Sequence, residues 1–322
     1  MSEQLLEIKD LKAYYRTPVG VVKAVDGVSL AVEREEIFGI AGESGCGKST
    51  LAKAALRLLK PPGYIHEGNI LFEGTDLMRL DREGLRKIRW RKISYIPQSS
   101  MNSLNPVMRI GDQIVDAILA HENWPRDKAE ERARKLVKLV GLPERCIKMY
   151  PHELSGGMKQ RVIIASSIAL NPRLIVADEP TTALDVVVQR GILQTLYEIK
   201  NSLGASIVLI THDMAVHAEI DDRLMVMYAG KVAELGSVYD IFEDPLHPYS
   251  DILMSAIPAI GEKKEIKGIS GRPPSLLNPP KGCRFHPRCP HVMEICRREE
   301  PLLKEVGPGR FVACHLHGSD SR

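Results

Sequence analysis

Between Glu36 and Leu59 the sequence changes character twice within a few residues. Glu36–Gly42 is a short apolar run bounded by glycine, and Gly42-Glu-Ser-Gly-Cys-Gly-Lys48-Ser49 follows it. Ser49 to Leu59 then carries apolar residues at helical spacing. Strand, glycine loop and helix in that order make a phosphate-binding turn. Glycine keeps the inside of the loop clear of side chains, so backbone N–H groups turn inward around an anion. Lys48 adds a point charge for the terminal phosphates, and the Ser49 hydroxyl suits Mg²⁺. The helix presents its positive end to the same anion. The complete G-x-x-x-x-G-K-[ST] pattern therefore reads as a nucleoside triphosphate site over Gly42, Ser44, Gly45, Cys46, Gly47, Lys48, Ser49 and Thr50.

Such a site needs an apolar strand ending in a carboxylate, and Leu174-Ile-Val-Ala-Asp178-Glu179 supplies one. Asp178 is expected to hold magnesium through water, and Glu179 to polarise the attacking water. At 322 residues there is room for about two domains. A chain that is 44% hydrophobic and 26% charged is not wholly disordered. A net charge of +3 argues against whole-surface nucleic-acid binding. The seven positive and two negative residues of Arg79–Lys92 include one aromatic, Trp90, and no repeated aromatic interleaving for strand stacking, so they read as a solvated helix face. The longest apolar stretch, Val162–Leu170, has nine residues where a membrane span needs about 20, and the N-terminus lacks a signal-peptide pattern. A cytosolic chain is the expectation.

Strand signals fall at Leu5–Ile8, Val28–Val32, Leu174–Ala177, Ser206–Ile210 and Leu224–Met227. Asp112–His121 and Arg126–Val140 have helical spacing, which predicts a helical subdomain over about residues 100–170 within an α/β body. Composition shifts near Pro245, and Pro258–Pro280 reads as a linker.

Leu154-Ser155-Gly156-Gly157-Met158-Lys-Gln160-Arg161 resembles the signature motif of ABC-transporter ATPases. In the same order, Gln98 in Ile96-Pro-Gln resembles their Q-loop, which senses metal and nucleotide. Asp185 in Ala183-Leu-Asp resembles the D-loop, and His212 in Ile210-Thr-His-Asp the switch histidine at the γ-phosphate. Tyr15 resembles the aromatic platform for adenine, with Tyr14 offering the same ring one position earlier. The resemblance implies a P-loop ABC ATPase core, a RecA-like subdomain with an N-terminal antiparallel β subdomain, plus the inserted helical subdomain. It further implies ATP clamped at a head-to-tail dimer, where Ser155, Gly156 and Gly157 of one chain face the γ-phosphate held by the other. Met158 stands where glutamine is commoner.

His247-Pro-Tyr249 with Leu253–Pro258, and Gly271-Arg-Pro-Pro-Ser-Leu, resemble the C-terminal extension of dipeptide/oligopeptide permease ATPases. On that likeness residues 1–245 form the nucleotide-binding domain and 246–322 the extension. The implied role is powering peptide import, with oligosaccharide or nickel import as alternatives and a soluble ATPase on nucleic acid as a remoter one. The implied partners are two transmembrane permease subunits, a sister ATPase and an extracytoplasmic binding protein, at the cytoplasmic face of the membrane. Cys283, Cys289, Cys296 and Cys314 are spaced C-x5-C-x6-C-x17-C. Four thiolates can hold a [4Fe–4S] cluster or Zn²⁺, and the wide spacing together with the resemblance favours the cluster. His286, His291, His315 and His317 keep a Cys/His zinc site open, while Cys46 and Cys146 read as packing residues.

Overall fold

The computed structural model describes residues 3–98, 103–256 and 269–317. In chain order the elements are β1 (Gln4–Thr17), β2 (Gly20–Glu33), β3 (Ile37–Ala41), α1 (Lys48–Ala55), β4 (Gly63–Phe72), β5 (Thr75–Asp76), α2 (Arg82–Ile88) and β6 (Ile93–Ile96). There follow α3 (Ile110–Leu119), α4 (Arg126–Leu139), α5 (Gly156–Ser167), β7 (Leu174–Asp178), α6 (Val186–Leu203), β8 (Ser206–Ile210) and α7 (Met214–Ile220). The chain closes with β9 (Arg223–Tyr228), β10 (Lys231–Ser237), α8 (Val238–Glu243), α9 (Pro248–Ser255), α10 (Glu294–Arg298), β11 (Lys304–Gly307) and β12 (Arg310–Val312). Two compact units emerge, one built mainly on Arg79–Ile210, the other on Leu6–Val32, Ile37–Met78 and the chain from Thr211 onward.

In the second unit β2-β1-β4-β5 form one sheet, with β1 antiparallel to β4 and Tyr15 opposite Gly63. Leu5–Ile8 is only the start of β1. The strand bulges at Asp10, whose φ is 45°, then resumes to Thr17. Strands β11-β12-β10-β9-β3 lie side by side, with β3 parallel to β9. All five residues of β3 are buried, as expected of a strand covered on both faces. Tyr228, Tyr249 and Phe285 pack together with Leu224, Val226 and Ile241 as the core here.

Helix α1 stops at Ala55, short of the Leu59 that apolar spacing suggested. Arg57 turns left-handed at φ 52°, and its N–H donates to Ala54 while that of Leu58 donates to Lys53. That pair of bonds is a Schellman closure made without glycine. Residues 258–268 of the expected linker lie outside the described residues. The rest is not a free tether, because Leu276 accepts a hydrogen bond from the Lys23 N–H at 2.9 Å, and Ile269 and Leu276 pack on the core.

In the first unit β8, β7 and β6 are parallel, and β7 and β8 are buried throughout. Helices α3 and α4 turn Ile110, Ile114, Val115 and Ile118, and Ala129, Ala133, Leu136 and Val137, into the interior. These two helices and α5 form the helical part expected between the strands. The basic stretch Arg79–Lys92 folds only in part as a helix, α2, whose N-cap is Asp81.

Candidate nucleotide site

The phosphate loop follows β3 directly. Gly42 and Gly47 have φ of 141° and 113°, and a Cβ on them would stand 2.2 Å from the Met227 carbonyl oxygen and 2.1 Å from that of Ala24. Only glycine satisfies both the backbone and the space. Gly45, at φ 79°, opens on free space. The buried Lys48 ammonium donates to the carbonyls of Gly42 at 2.6 Å and Glu43 at 3.1 Å. Both acceptors are neutral, so these bonds place the cation without neutralising it. Cys46 is buried, its thiol pushed up by burial, and Ser44 and Gly45 are exposed. Ser49 and Thr50 lie in the first turn of α1, and the Tyr15 hydroxyl lies 3.2 Å from Thr50 Oγ1. Tyr14 is instead buried and donates to Asp26 at 2.5 Å.

In the first unit the register of β6 on β7 sets Ile96 beside Ala177. Two residues beyond each, Gln98 and Glu179 meet: Gln98 Nε2 donates to the Glu179 carboxylate at 2.9 Å. Thr182 donates to the same oxygen at 2.8 Å. Glu179 sits at φ 49° and its N–H donates to Ile210, a conformation that costs about 1 kcal/mol and is held by its neighbours. Asp178, fully buried, accepts from the Tyr95 hydroxyl at 2.9 Å. Tyr95 and Thr182 carry no signal in the sequence, since only the strand register and the turn after β7 bring them here.

Ser155 is the N-cap of α5, accepting from the Met158 N–H at 3.3 Å. Asp185 caps α6 through the Val188 N–H at 3.0 Å. The two caps are neighbours, because a Cβ on Gly157 would stand 2.4 Å from Val188 Cγ1. Ser155, Gly156 and Asp185 are exposed, and so are Val186 (79%) and Val187 (82%) beside them.

His212 belongs to the second unit and is exposed. The preceding Thr211 carbonyl lies 3.2 Å from His217 Nε2, whose Nδ1 meets Asp221 at 2.5 Å, with both side chains wholly buried. Burial pushes the Asp221 carboxyl up to about 6. Nothing in the sequence marks His217 and Asp221 as a pair beyond their i, i+4 spacing.

The metal assignment of the four cysteines is corrected here. Among the described residues no group of three or more His, Cys, Asp or Glu side chains is arranged to hold a metal ion. The cavity that Cys283, Cys289, Cys296 and Cys314 line has a volume of about 10 Å³, room for one water at most. Burial pushes the Cys283 thiol up to about 11 and those of Cys289 and Cys314 upward too. Cys283 and Cys289 pack against the core around Phe285. Neither the [4Fe–4S] cluster nor Zn²⁺ fits this arrangement. A magnesium ion makes smaller demands, since nucleotide phosphates and water supply most of its ligands.

Residues 25–182 match the family model "ABC transporter", and residues 233–296 match "Oligopeptide/dipeptide transporter, C-terminal region". A dipeptide transport ATP-binding protein of Caldanaerobacter subterraneus subsp. tengcongensis is 43% identical over 97% of this chain and 97% of its own length. An oligopeptide transport ATP-binding protein of Escherichia coli is 45% identical over 97% of this chain and 93% of its own. Among solved structures, a dimeric bacterial ABC transporter cassette superposes with a TM-score of 0.66 at 30% identity, covering 73% of this chain and 99% of that one. A dimeric post-hydrolysis cassette bound to ADP and Pi gives 0.66 at 29%, with 73% and 99% coverage. No described helix is long and apolar enough to cross a membrane.

Proposed function

The chain belongs to the ATP-binding subunits of dipeptide/oligopeptide ABC transporters, and from that membership we propose that its ATP hydrolysis drives peptide import through two membrane-spanning permease subunits. The observation that carries the peptide reading is the C-terminal region, residues 233–296, which matches the oligopeptide/dipeptide transporter family, alongside peptide-transport relatives that align over 97% of this chain. Residues 1–245 form the nucleotide-binding domain in this reading and 246–322 the extension. The protein works at the cytoplasmic face, with a sister ATPase and an extracytoplasmic binding protein.

ATP lies along the loop Gly42–Ser49, with N–H groups around its phosphates, Lys48 on the terminal ones and Tyr15 against the base. Tyr15 is half-buried beside Thr50 while Tyr14 is buried, which supports that choice. Ser49, Gln98 and Asp178 would hold Mg²⁺, which would neutralise phosphate charge. Glu179 takes the proton of the attacking water; Gln98 and Thr182 aim its carboxylate, and His212 meets the γ-phosphate. Ser155, Gly156 and Gly157 at the start of α5 complete the site of a second chain, whose phosphate they receive at a helix N-terminus. The exposed Val186 and Val187 next to Asp185 suit burial in that dimer.

The test is reconstitution with the permease and binding proteins in vesicles. Di- and oligopeptides are expected to stimulate hydrolysis and to accumulate inside. Stimulation by oligosaccharide or Ni²⁺ and not by peptide would refute the peptide reading.

A further inference from the structure

The phosphate loop carries a carboxylate of its own. Glu43, its second residue, is tied at three points within the second unit. Its N–H donates to the Tyr249 hydroxyl at 2.8 Å, and its carbonyl accepts from Lys48 at 3.1 Å. Its carboxylate takes two hydrogen bonds from Arg288, Nη1 to Oε2 at 2.7 Å and Nη2 to Oε1 at 2.9 Å.

A carboxylate in a loop that receives a triphosphate is a like charge, and it repels the anion unless a cation answers it. Arg288 answers it with a geometry that lysine cannot copy. A guanidinium has five N–H groups, and here each has an acceptor. Nε donates to the Ser270 carbonyl at 2.9 Å, and the remaining hydrogens of Nη1 and Nη2 go to the Tyr228 hydroxyl at 3.1 Å and the Ile269 carbonyl at 3.3 Å. The Arg288 side chain is 5% exposed and that of Glu43 23%. A fork held this fully fixes the carboxylate in place and shields it from water. Tyr249 is locked too, its ring wholly buried against Tyr228 and Phe285. Arg288 and Tyr249 both lie beyond residue 245, far along the chain from the loop they hold.

We propose that Arg288 is a positioning residue of the ATP site: it neutralises Glu43 and, with Tyr249, fixes the opening turn of the phosphate loop, so that the C-terminal segment sets the affinity for ATP. This rests on the ATPase reading above.

The experiment is equilibrium binding of Mg-ATP to the full-length chain, with thermal melting alongside. R288A is expected to weaken ATP by about tenfold, the lower end of what an uncompensated like charge costs. R288K should fall in between. The double variant R288A/E43Q, which removes both charges, should recover to within about twofold of wild type. Y249F keeps the ring in the core and deletes only the acceptor of the Glu43 N–H. It should weaken ATP several-fold, so the idea stays testable if R288A folds poorly. Wild-type affinity in both R288A and Y249F would overturn the proposal. So would a double variant as weak as R288A alone, because the charge on Glu43 would then have no part. A wild-type chain that binds no ATP would instead remove the ATPase reading itself.

Discussion

Gly39 sits in the middle of β3, and a single methyl group there should be among the most damaging changes in the protein. A Cβ at this position would stand 1.7 Å from Asp221 Oδ2, 2.8 Å from Asp221 Cγ and 2.8 Å from His217 Nδ1. No flexible end can swing aside, since the Asp221–His217 pair is wholly buried. Alanine recovers about 0.5–1 kcal/mol over glycine in a strand. Driving the carboxylate off its partner leaves a buried unpaired charge, which costs about 3–5 kcal/mol. The net loss is about 2–4.5 kcal/mol out of a typical total of about 5–15. With a urea slope of about 2 kcal/mol per M, the unfolding midpoint of G39A should drop by about 1–2 M, read by circular dichroism. A drop below about 0.3 M would refute the steric reasoning. A cycle sharpens the test: D221A removes the nearest obstacle and leaves only His217 Nδ1 at 2.8 Å, so adding G39A to it should cost much less than adding it to wild type. Simple additivity of the two losses would show that the clash is not the cause.

Other consequences can be measured in the same way. E179Q should keep ATP affinity while phosphate release falls at least about 100-fold, the usual weight of a general base, and should accumulate an ATP-bound dimer on size exclusion. Y15A should weaken ATP with little change in melting temperature. Y14A should do the reverse, losing about 3–5 kcal/mol because it opens a cavity and strands Asp26. His247, the N-cap of α9, accepts the Tyr249 N–H on Nδ1, and burial lowers its pKa from 6.5 to about 4. The unfolded chain therefore binds an extra proton between those values, so this residue's contribution is full above pH 6.5 and lost as pH falls through 4. The difference is about 3 kcal/mol. H247N retains a capping side chain without the proton site, and the wild-type-minus-variant stability should show that slope; no slope would rule out a neutral imidazole.

Sequence carried the phosphate loop well because its chemistry is local: the glycines, Lys48 and Ser49 are neighbours on the chain. The carboxylates were legible for the same reason, each standing at the end of an apolar run. What holds them was not. Gln98 reaches Glu179 only through the pairing of Ile96 with Ala177, and Tyr95 reaches Asp178 the same way. Tyr14 and Tyr15 are indistinguishable until β1 assigns one to the core and the other to Thr50. The cysteines misled for the opposite reason. Closeness in sequence suggested a shared ligand, but the folded segment packs Cys283 and Cys289 on the hydrophobic core and leaves the four only a small space between them. Helix α1 ended early because a Schellman closure needs no glycine when a longer residue accepts φ 52°.

The C-terminal segment bears on how this fold is held as well as on ATP. It inserts two arginines, four residues apart, onto two carboxylates of the chain that precedes it. Arg288 takes Glu43 in the phosphate loop. Arg284, nearly buried, donates to Asp26 in β2 and to the Ala229 carbonyl. Burial alone would raise the Asp26 carboxyl, yet the Tyr14 hydroxyl and Arg284 together hold it below its ordinary value. Asp26 in turn donates its N–H to Gly230, and the Gly230 N–H goes to Cys46 inside the loop. A segment merely tethered to an ATPase would leave these acids solvated and satisfied without it. Here Asp26 is buried and Glu43 largely so, which is stable only with both guanidinium groups in place. The segment is thus a structural member of the nucleotide-binding unit, and a change within it is expected to be felt at the phosphate loop through the two contacts, Arg288 to the Glu43 carboxylate and Tyr249 to the Glu43 N–H, that end on the loop itself.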